Sequence, residues 1–426
     1  MRRRHLLALS PALALAACTT AGTDPEGTTG PARPEDPEAT GPGTAAPTET
    51  GDGTDGTGGD EGADGGGGPT TDDTPGPWDP SEAVTALLDR LTPRELAGQL
   101  VLVGIMAGHS IPPEALAEHH AGGIFLLDRW RDPAQVDAVV AAAHEGSDPE
   151  VPPLIAVDQE GGQVRMLRGD AARRTPSAAE LGEAGPEAVR EAYTTIGEDL
   201  AARGISVALS PVADVVDPQL GSANDPVGGL DRGFGTDPEH VGACVAAAVE
   251  ALDATGTAAT LKHFPGLGRV EQNTDHSAEG ILDEVTTAED PFLGSFTAGI
   301  EAGAELVMLS SATYARIDGD APAMFSRAVV TELLRDQLGF EGLAVTDDIG
   351  AAKAVAAVPV AERATRFLEA GGDVLLTADP SITGQLVDAI EEWAGRGDEQ
   401  AASVRASAGR ILTLKERRGV LGPAPE

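Results

Sequence analysis

From residue 78 onward the chain alternates between two patterns of apolar and polar positions. Short runs that are apolar almost throughout occur at 99–105, 122–127, 153–158, 206–214, 257–264, 304–311, 342–348 and 373–378. A strand with apolar neighbours on both faces reads as such an unbroken run, so these segments predict buried parallel strands. Between them lie Ala/Glu/Arg-rich stretches with helical periodicity, such as 186–203, 238–255 and 326–338. Eight strands separated by helices over some 340 residues predict an α/β fold, a (β/α)8 TIM-type barrel forming one domain over 78–426. An open, doubly wound sheet would use the same alternation. The barrel is favoured by where the polar residues fall. Asp158, Asp214, Lys262, His263, Ser310, Ser311, Asp347 and Asp348 all stand at or beyond the C-terminal ends of the runs, and a barrel brings those ends to a single mouth.

Ahead of residue 78 the pattern changes twice. Arg2, Arg3 and Arg4 precede an apolar stretch from Leu6 to Leu15 that is too short to span a bilayer, and Leu15-Ala16-Ala17-Cys18 resembles a bacterial lipobox. Residues 1–17 are thus expected to be a lipoprotein signal peptide and Cys18 the lipidated residue. The expected location is the outer face of the bacterial cell membrane, with the membrane itself as one partner. An ordinary signal peptide with a chance cysteine is the alternative. Residues 18–77 are Gly, Pro, Thr, Asp and Glu with almost no aliphatics, a composition that cannot bury enough apolar surface to order itself. A disordered tether is expected there. Its thirteen acids and one arginine account for −12 of the formal net charge of −40, and most of the rest lies beyond it. So acidic a chain does not suit nucleic acid as a partner. Cys244, the one cysteine besides Cys18, sits in a helical pattern and is expected to be a small buried apolar group.

The chemistry concentrates at 261–277, LKHFPGLGRVEQNTDHS. The chain has three lysines, Lys262, Lys353 and Lys415, so one placed beside His263 at a strand end points to a use for its compact charge. In AVDQEGGQVRML, Asp158 ends a strand ahead of Glu160 and a Gly161-Gly162 turn; an Asx-turn would also explain it. Asp231 and Arg232 occupy a glycine-rich loop, where a local ion pair is the simplest account. Asp347 and Asp348 follow a buried strand, and like charges so close raise each other's pKa. There is no nucleophile elbow, no Walker loop and no cysteine or histidine cluster suited to zinc. Carboxylates, a Lys-His pair and an arginine around one mouth suit cleavage of a glycosidic bond by paired acids.

The motifs DQEGGQV, SPVADV, DRGFGTDPEHV, KHFPGLG and GFEGLAVTDD, in this order and spacing, are similar to those of the family 3 glycoside hydrolases of the β-N-acetylhexosaminidase type. The resemblance covers residues 85 to 426. It implies a barrel that needs no metal or organic cofactor, and a carbohydrate partner. It also implies removal of terminal β-linked N-acetylglucosamine, commonly from peptidoglycan fragments, with retention of configuration. Matched position by position, Asp347 is the nucleophile, and Asp158, Arg232, Lys262 and His263 hold the sugar hydroxyls. Two positions depart from the pattern. Met166 stands where the family has an arginine, with Arg165 and Arg168 beside it. Leu267 replaces a histidine, and the slots of the family's Asp-x-His hold Asn273, Thr274 and Asp275, with His276 one place late. By spacing the acid/base is Asp275; by residue type it is His276. Another exo-β-glycosidase or a phosphorylase of the family, or a glycan-binding lipoprotein without hydrolysis, are the alternatives.

Overall fold

The computed structural model describes residues 76–421. The expected signal peptide, the lipidation site at Cys18 and all but the last two residues of the expected tether lie outside them.

All eight apolar runs are strands: β1 (Val101–Met106), β2 (Gly123–Leu127), β3 (Leu154–Val157), β4 (Val207–Ala208), β5 (Ala258–Phe264), β6 (Leu306–Leu309), β7 (Leu343–Thr346) and β8 (Leu375–Thr377). Each pairs in parallel with the next from β1 to β7, and β8 pairs with β1. The ring closes where Val345 of β7 bridges Val374, just ahead of β8, with Thr346 donating to Val374 O and Val374 to Ala344 O. An open doubly wound sheet would keep two unpaired edges, so this closure selects the barrel. The strands are buried along almost their whole length, as their unbroken apolar sequences require.

The amphipathic stretches form helices at Pro186–Ala201, Pro238–Ala254 and Ala328–Gln337, the last wound in the wider i→i+5 form. Helix Pro238–Ala254 starts on Asp237, whose side chain accepts from Glu239 N, with proline in the first turn where no amide hydrogen is needed. Cys244 is buried on this helix. β4 is much shorter than the run 206–214 suggested. Pro211 has no N–H to give a ladder, and pairing resumes only as a single bridge between Val212 and Lys262.

Buried charges tie the C-terminal helix Asp398–Arg417 to the N-terminal ends of β6 and β8. Glu305 accepts from Arg417 at 2.9 Å and from Arg418 at 2.6 Å. Asp373 accepts from Arg335, Arg410 and Ser407. Lys415 differs. It is fully buried, donates to Gln99 Oε1 at 2.7 Å, and has no carboxylate partner among the described residues. Burial lowers its ammonium to about 7.

Candidate active site

The C-terminal ends of β3, β4, β5 and β7 bring the sequence-predicted residues into one cluster, and they do so through two acids whose part the sequence did not reveal. The first is Glu160. Lys262, inside β5 and 2% exposed, places Nζ 2.5 Å from Asp158 Oδ1 and 2.6 Å from Glu160 Oε1. Arg232 grips the same Glu160 with two parallel bonds, Nε to Oε2 at 2.9 Å and Nη2 to Oε1 at 2.8 Å, and donates Nη1 to Pro226 O. Burial alone would push the Glu160 carboxyl up, but Arg232 and Lys262 outweigh it and hold it at about 2. Lys262 is held above its usual value, because Asp158 and Glu160 together outweigh its desolvation. Asp158, Lys262, Glu160 and Arg232 thus form a linked, near-neutral quartet. Desolvation offsets much of the attraction in such a group, so its main effect is to fix four side chains in orientation.

This geometry corrects the expectation of a local pair between Asp231 and Arg232. Asp231 takes a left-handed backbone (φ 56°) and accepts from Gln163 Nε2 at 3.2 Å. The chain reverses there, so the neighbouring guanidinium is directed across the mouth to Glu160. The Asx-turn account of Asp158 gives way too, since its Oδ1 is taken by Lys262.

The second acid is Asp214, fully buried beyond β4. Its Oδ2 lies 2.8 Å from His263 Nδ1, and its Oδ1 accepts from His263 N at 2.9 Å and Leu267 N at 2.8 Å. One carboxylate therefore fixes both the imidazole and the start of the following loop. Nδ1 is engaged, and Nε2 is turned to Arg232 Nη2 at 3.4 Å.

Asp347 lies just past β7 and is only partly covered. Its amide donates to Leu309 O, and its Oδ1 accepts from Asp348 N at 2.9 Å. Its carboxyl is pushed up to about 6, chiefly by burial and next by the charge of Asp275, while His263 pulls the other way. Asp348 adds the least, so the adjacent acid is not the main reason for the shift. Asp348 has another task. Its two oxygens accept from Gly350 N, Ala351 N and Ala378 N, which ties the loop after β7 to the end of β8.

The stretch after β5 divides in two. Residues 265–270 are held firmly: Asn224 Nδ2 donates to Leu267 O and Val270 O, Tyr314 OH to Gly266 O, and Arg269 reaches Asp290 while stacking on Phe292. Gly268 passes so close to the segment after β4 that a Cβ would stand 1.7 Å from Val215 O. Leu267, where the resemblance expects a histidine, is 1% exposed and belongs to the core, not to the site. Beyond it Asn273 makes a turn, its side chain accepting from Asp275 N and its carbonyl from His276 N and Ser277 N. Thr274 is buried and its carbonyl accepts from Ala354 N, while Asp275 and His276 are both exposed. Of the two, it is Asp275 whose charge bears on Asp347.

The Gly161-Gly162 turn links two short strands, Gln159–Gly161 and Val164–Arg165. Both glycines have positive φ, and a Cβ on Gly162 would stand 2.6 Å from Ser177 Cβ. Met166 packs against the core, and its amide donates to Asp158 O. Arg165 and Arg168 direct their guanidinium donors to carbonyls of the same hairpin, Gly162 O for one, Arg165 O and Gln163 O for the other. A cavity of about 480 Å³ between residues 108–113 and helix Pro133–Gly146 contains none of these groups, so it is separate from the acid cluster. Among the described residues no three His, Cys, Asp or Glu side chains are grouped to hold a metal ion.

Residues 92–414 match the model of the glycosyl hydrolase family 3 N-terminal domain. The chain belongs to this family. It is 35% identical over 303 residues to a beta-hexosaminidase of Xanthomonas oryzae pv. oryzae, covering 68% of this chain and 87% of that protein. A crystal structure of a beta-N-acetylhexosaminidase from Beutenbergia cavernae superposes with a TM-score of 0.73 at 43% identity, over 76% of this chain and 99% of that one. A family 3 beta-N-acetylglucosaminidase from Paenibacillus sp. gives 0.69 at 31% identity, over 79% of this chain and 64% of that one. The protein is a glycoside hydrolase with beta-hexosaminidase relatives.

Proposed function

We propose that this hydrolase removes terminal β-linked N-acetylglucosamine from cell-wall (peptidoglycan) fragments with retention of configuration. We further propose that a lipid on Cys18 holds it to the outer face of the cell membrane, with residues 18–77 as a tether. The catalytic reading is supported by Asp347, just past β7 and only partly covered, with its Oδ1 held by Asp348 N, and by a second carboxyl, Asp275, whose charge helps to raise it to about 6. Two carboxyl groups flanking a sugar are what the retaining reaction uses. Asp347 attacks the anomeric carbon as the bond to the leaving oxygen breaks, and Asp275 passes its proton to that oxygen. Water, deprotonated by Asp275, then displaces Asp347 and restores the first state. Asp158, Arg232, Lys262 and His263 line the mouth beside them and hold the hydroxyls. Lys262 and Arg232 only donate, so each fixes a hydroxyl oxygen as acceptor.

The test is turnover by the full chain of nitrophenyl N-acetyl-β-glucosaminide against the matching β-glucoside, with the first anomer formed read by NMR. A β-product from the acetamido substrate, at least tenfold preferred, is expected. An α-product, or preference for the glucoside, refutes the proposal.

A further inference from the structure

Residues 272–280, which carry Asp275, are joined to the rest of the barrel by very little. Glu271 O accepts from Asp225 N on one side of the stretch, and Ile281 O from Thr313 N on the other. Between them the turn bonds to itself: Asn273 accepts from Asp275 N, His276 N and Ser277 N, and Ser277 closes on Glu279. Among the described residues, one hydrogen bond leaves the stretch, from Ala354 N to Thr274 O at 3.3 Å. Thr274 is also its one buried side chain, 4% exposed, with Asp275 and His276 exposed beside it.

Ala354 belongs to the segment that begins at the nucleophile, and this segment is held at both ends. At its start the Asp348 carboxylate accepts from Gly350 N at 2.8 Å, Ala351 N at 2.9 Å and Ala378 N at 2.7 Å. Gly350 is pressed against β8, where a Cβ would stand 2.4 Å from Thr377 Oγ1. At its far end Arg363, 7% exposed, reaches back from the helix Val360–Ala370 and donates to the carbonyls of Ile349, Ala356 and Val358. Ile349 and Val355 are fully buried between these ties. Carboxylate and guanidinium both spend their bonds on backbone, so what they determine is where Ala354 stands. The charge of Asp275 acts on Asp348 as well as on Asp347, in keeping with a turn seated over this segment.

We infer that Asp348 and Arg363 are positioning residues for the proton donor: they fix the segment 349–356, whose Ala354 amide seats Thr274 and so sets where Asp275 stands relative to Asp347. The inference rests on the proposed reading of Asp275 as the acid/base. One piece of backbone then carries the nucleophile and locates its partner, which keeps the two carboxyls in step. Misplacing a reacting group by about 1 Å can cost about 10²-fold in rate, so a single seat of this kind is enough to matter.

The experiment compares kcat/KM on N,N′-diacetylchitobiose with that on nitrophenyl N-acetyl-β-glucosaminide, using the full chain. In Thr274→Gly, which removes the buried side chain and loosens the backbone, the disaccharide-to-nitrophenyl ratio should fall about tenfold or more, because the disaccharide alone needs the donor in place. The acid limb on the nitrophenyl substrate should move down from about 6 by up to roughly 0.6 pH units, since Asp275 retreats while His263 and Asp348 stay beside Asp347. Thr274→Val, which keeps the shape of the side chain, should restore both. Arg363→Gln should show the same paired change, and Asp348→Asn the same fall in ratio. The double variant Thr274→Gly/Arg363→Gln should lose little beyond the larger single loss, because the two act through one contact. Should Arg363→Gln fail to fold, the Thr274 pair decides alone. Equal losses on both substrates, a limb that stays in place while the ratio falls, or losses that multiply in the double variant each overturn the inference. Asp275→Asn separates the two levels. An unchanged ratio there refutes Asp275 as the acid, whereas a ratio that falls there and holds in Thr274→Gly overturns the positioning inference alone.

Discussion

Replacing Asp275 by Asn should change two quantities together, because Asp275 is the proposed acid/base and, in its ionised form, the largest charge acting on Asp347. The nucleophile must be ionised. With its carboxyl at about 6, activity is lost as pH falls through that value, and about one tenth of the enzyme is ionised at pH 5. Two carboxylates at the roughly 5–5.5 Å separation of retaining pairs repel by about 0.8–1.6 kcal/mol, for an effective dielectric between that of water and half of it. The high end of dielectric suits Asp275, which is exposed. The repulsion corresponds to about 0.6–1.2 pH units. In Asp275→Asn the acid limb of kcat/KM on the nitrophenyl substrate should therefore move down from near 6 by about 0.6 pH units. On a disaccharide, whose leaving group needs a proton, kcat/KM should fall by about 10²–10⁴, and far less on the nitrophenyl substrate. Azide should restore turnover where deglycosylation has become limiting. His276→Ala, assayed alongside, should show neither effect. An acid limb that stays in place together with equal losses on both substrates would refute the reasoning, as would this pattern appearing in His276→Ala instead.

Asp347→Asn should abolish turnover by several orders of magnitude with the fold intact by circular dichroism. A 2-fluoro sugar with a good leaving group should label Asp347 in the wild type; label on Asp348, whose oxygens are taken by three backbone amides, would contradict the assignment. Lys415→Met should stabilise the protein. Lowering an ammonium from 10.5 to about 7 costs up to roughly 4–5 kcal/mol when it is charged, against about 1–3 kcal/mol for leaving Gln99 Oε1 without its donor. The cost is fully present below the folded value and fades as pH rises toward 10.5, so the gain in Tm should shrink between pH 7 and 10; a gain independent of pH would show that charge is not its cause. Cys18→Ser should leave the precursor uncleaved by lipoprotein processing and without lipid, read as a larger band that takes up no labelled acyl chain, while the wild type enters the detergent phase on its acyl chains; a wild type in the aqueous phase contradicts the anchor.

The sequence by itself determined the barrel and most of the residues at its mouth. A strand buried on both faces must be apolar throughout, so eight such runs are visible without a structure, and the polar residues at the ends of five of them mark the mouth. Asp158, Lys262, His263 and Asp347 were legible for that reason. What the sequence could not carry was partnership, because contacts across a barrel join residues far apart in the chain. Arg232 reads as the neighbour of Asp231, but a left-handed turn at that aspartate sends it to Glu160, 72 residues away. Glu160 and Asp214 read as ordinary strand-end acids until the quartet and the His263 contact are seen. Asp348 reads as a twin of Asp347, yet its oxygens are consumed by backbone amides and only its neighbour is left open. Of the two departures from the family pattern, Leu267 proved to be a core side chain and Met166 a partly buried one packed against the core. Ala354 shows the same limit most fully: its side chain carries no chemistry to read in the sequence, and only the closing of the barrel sets its amide against Thr274.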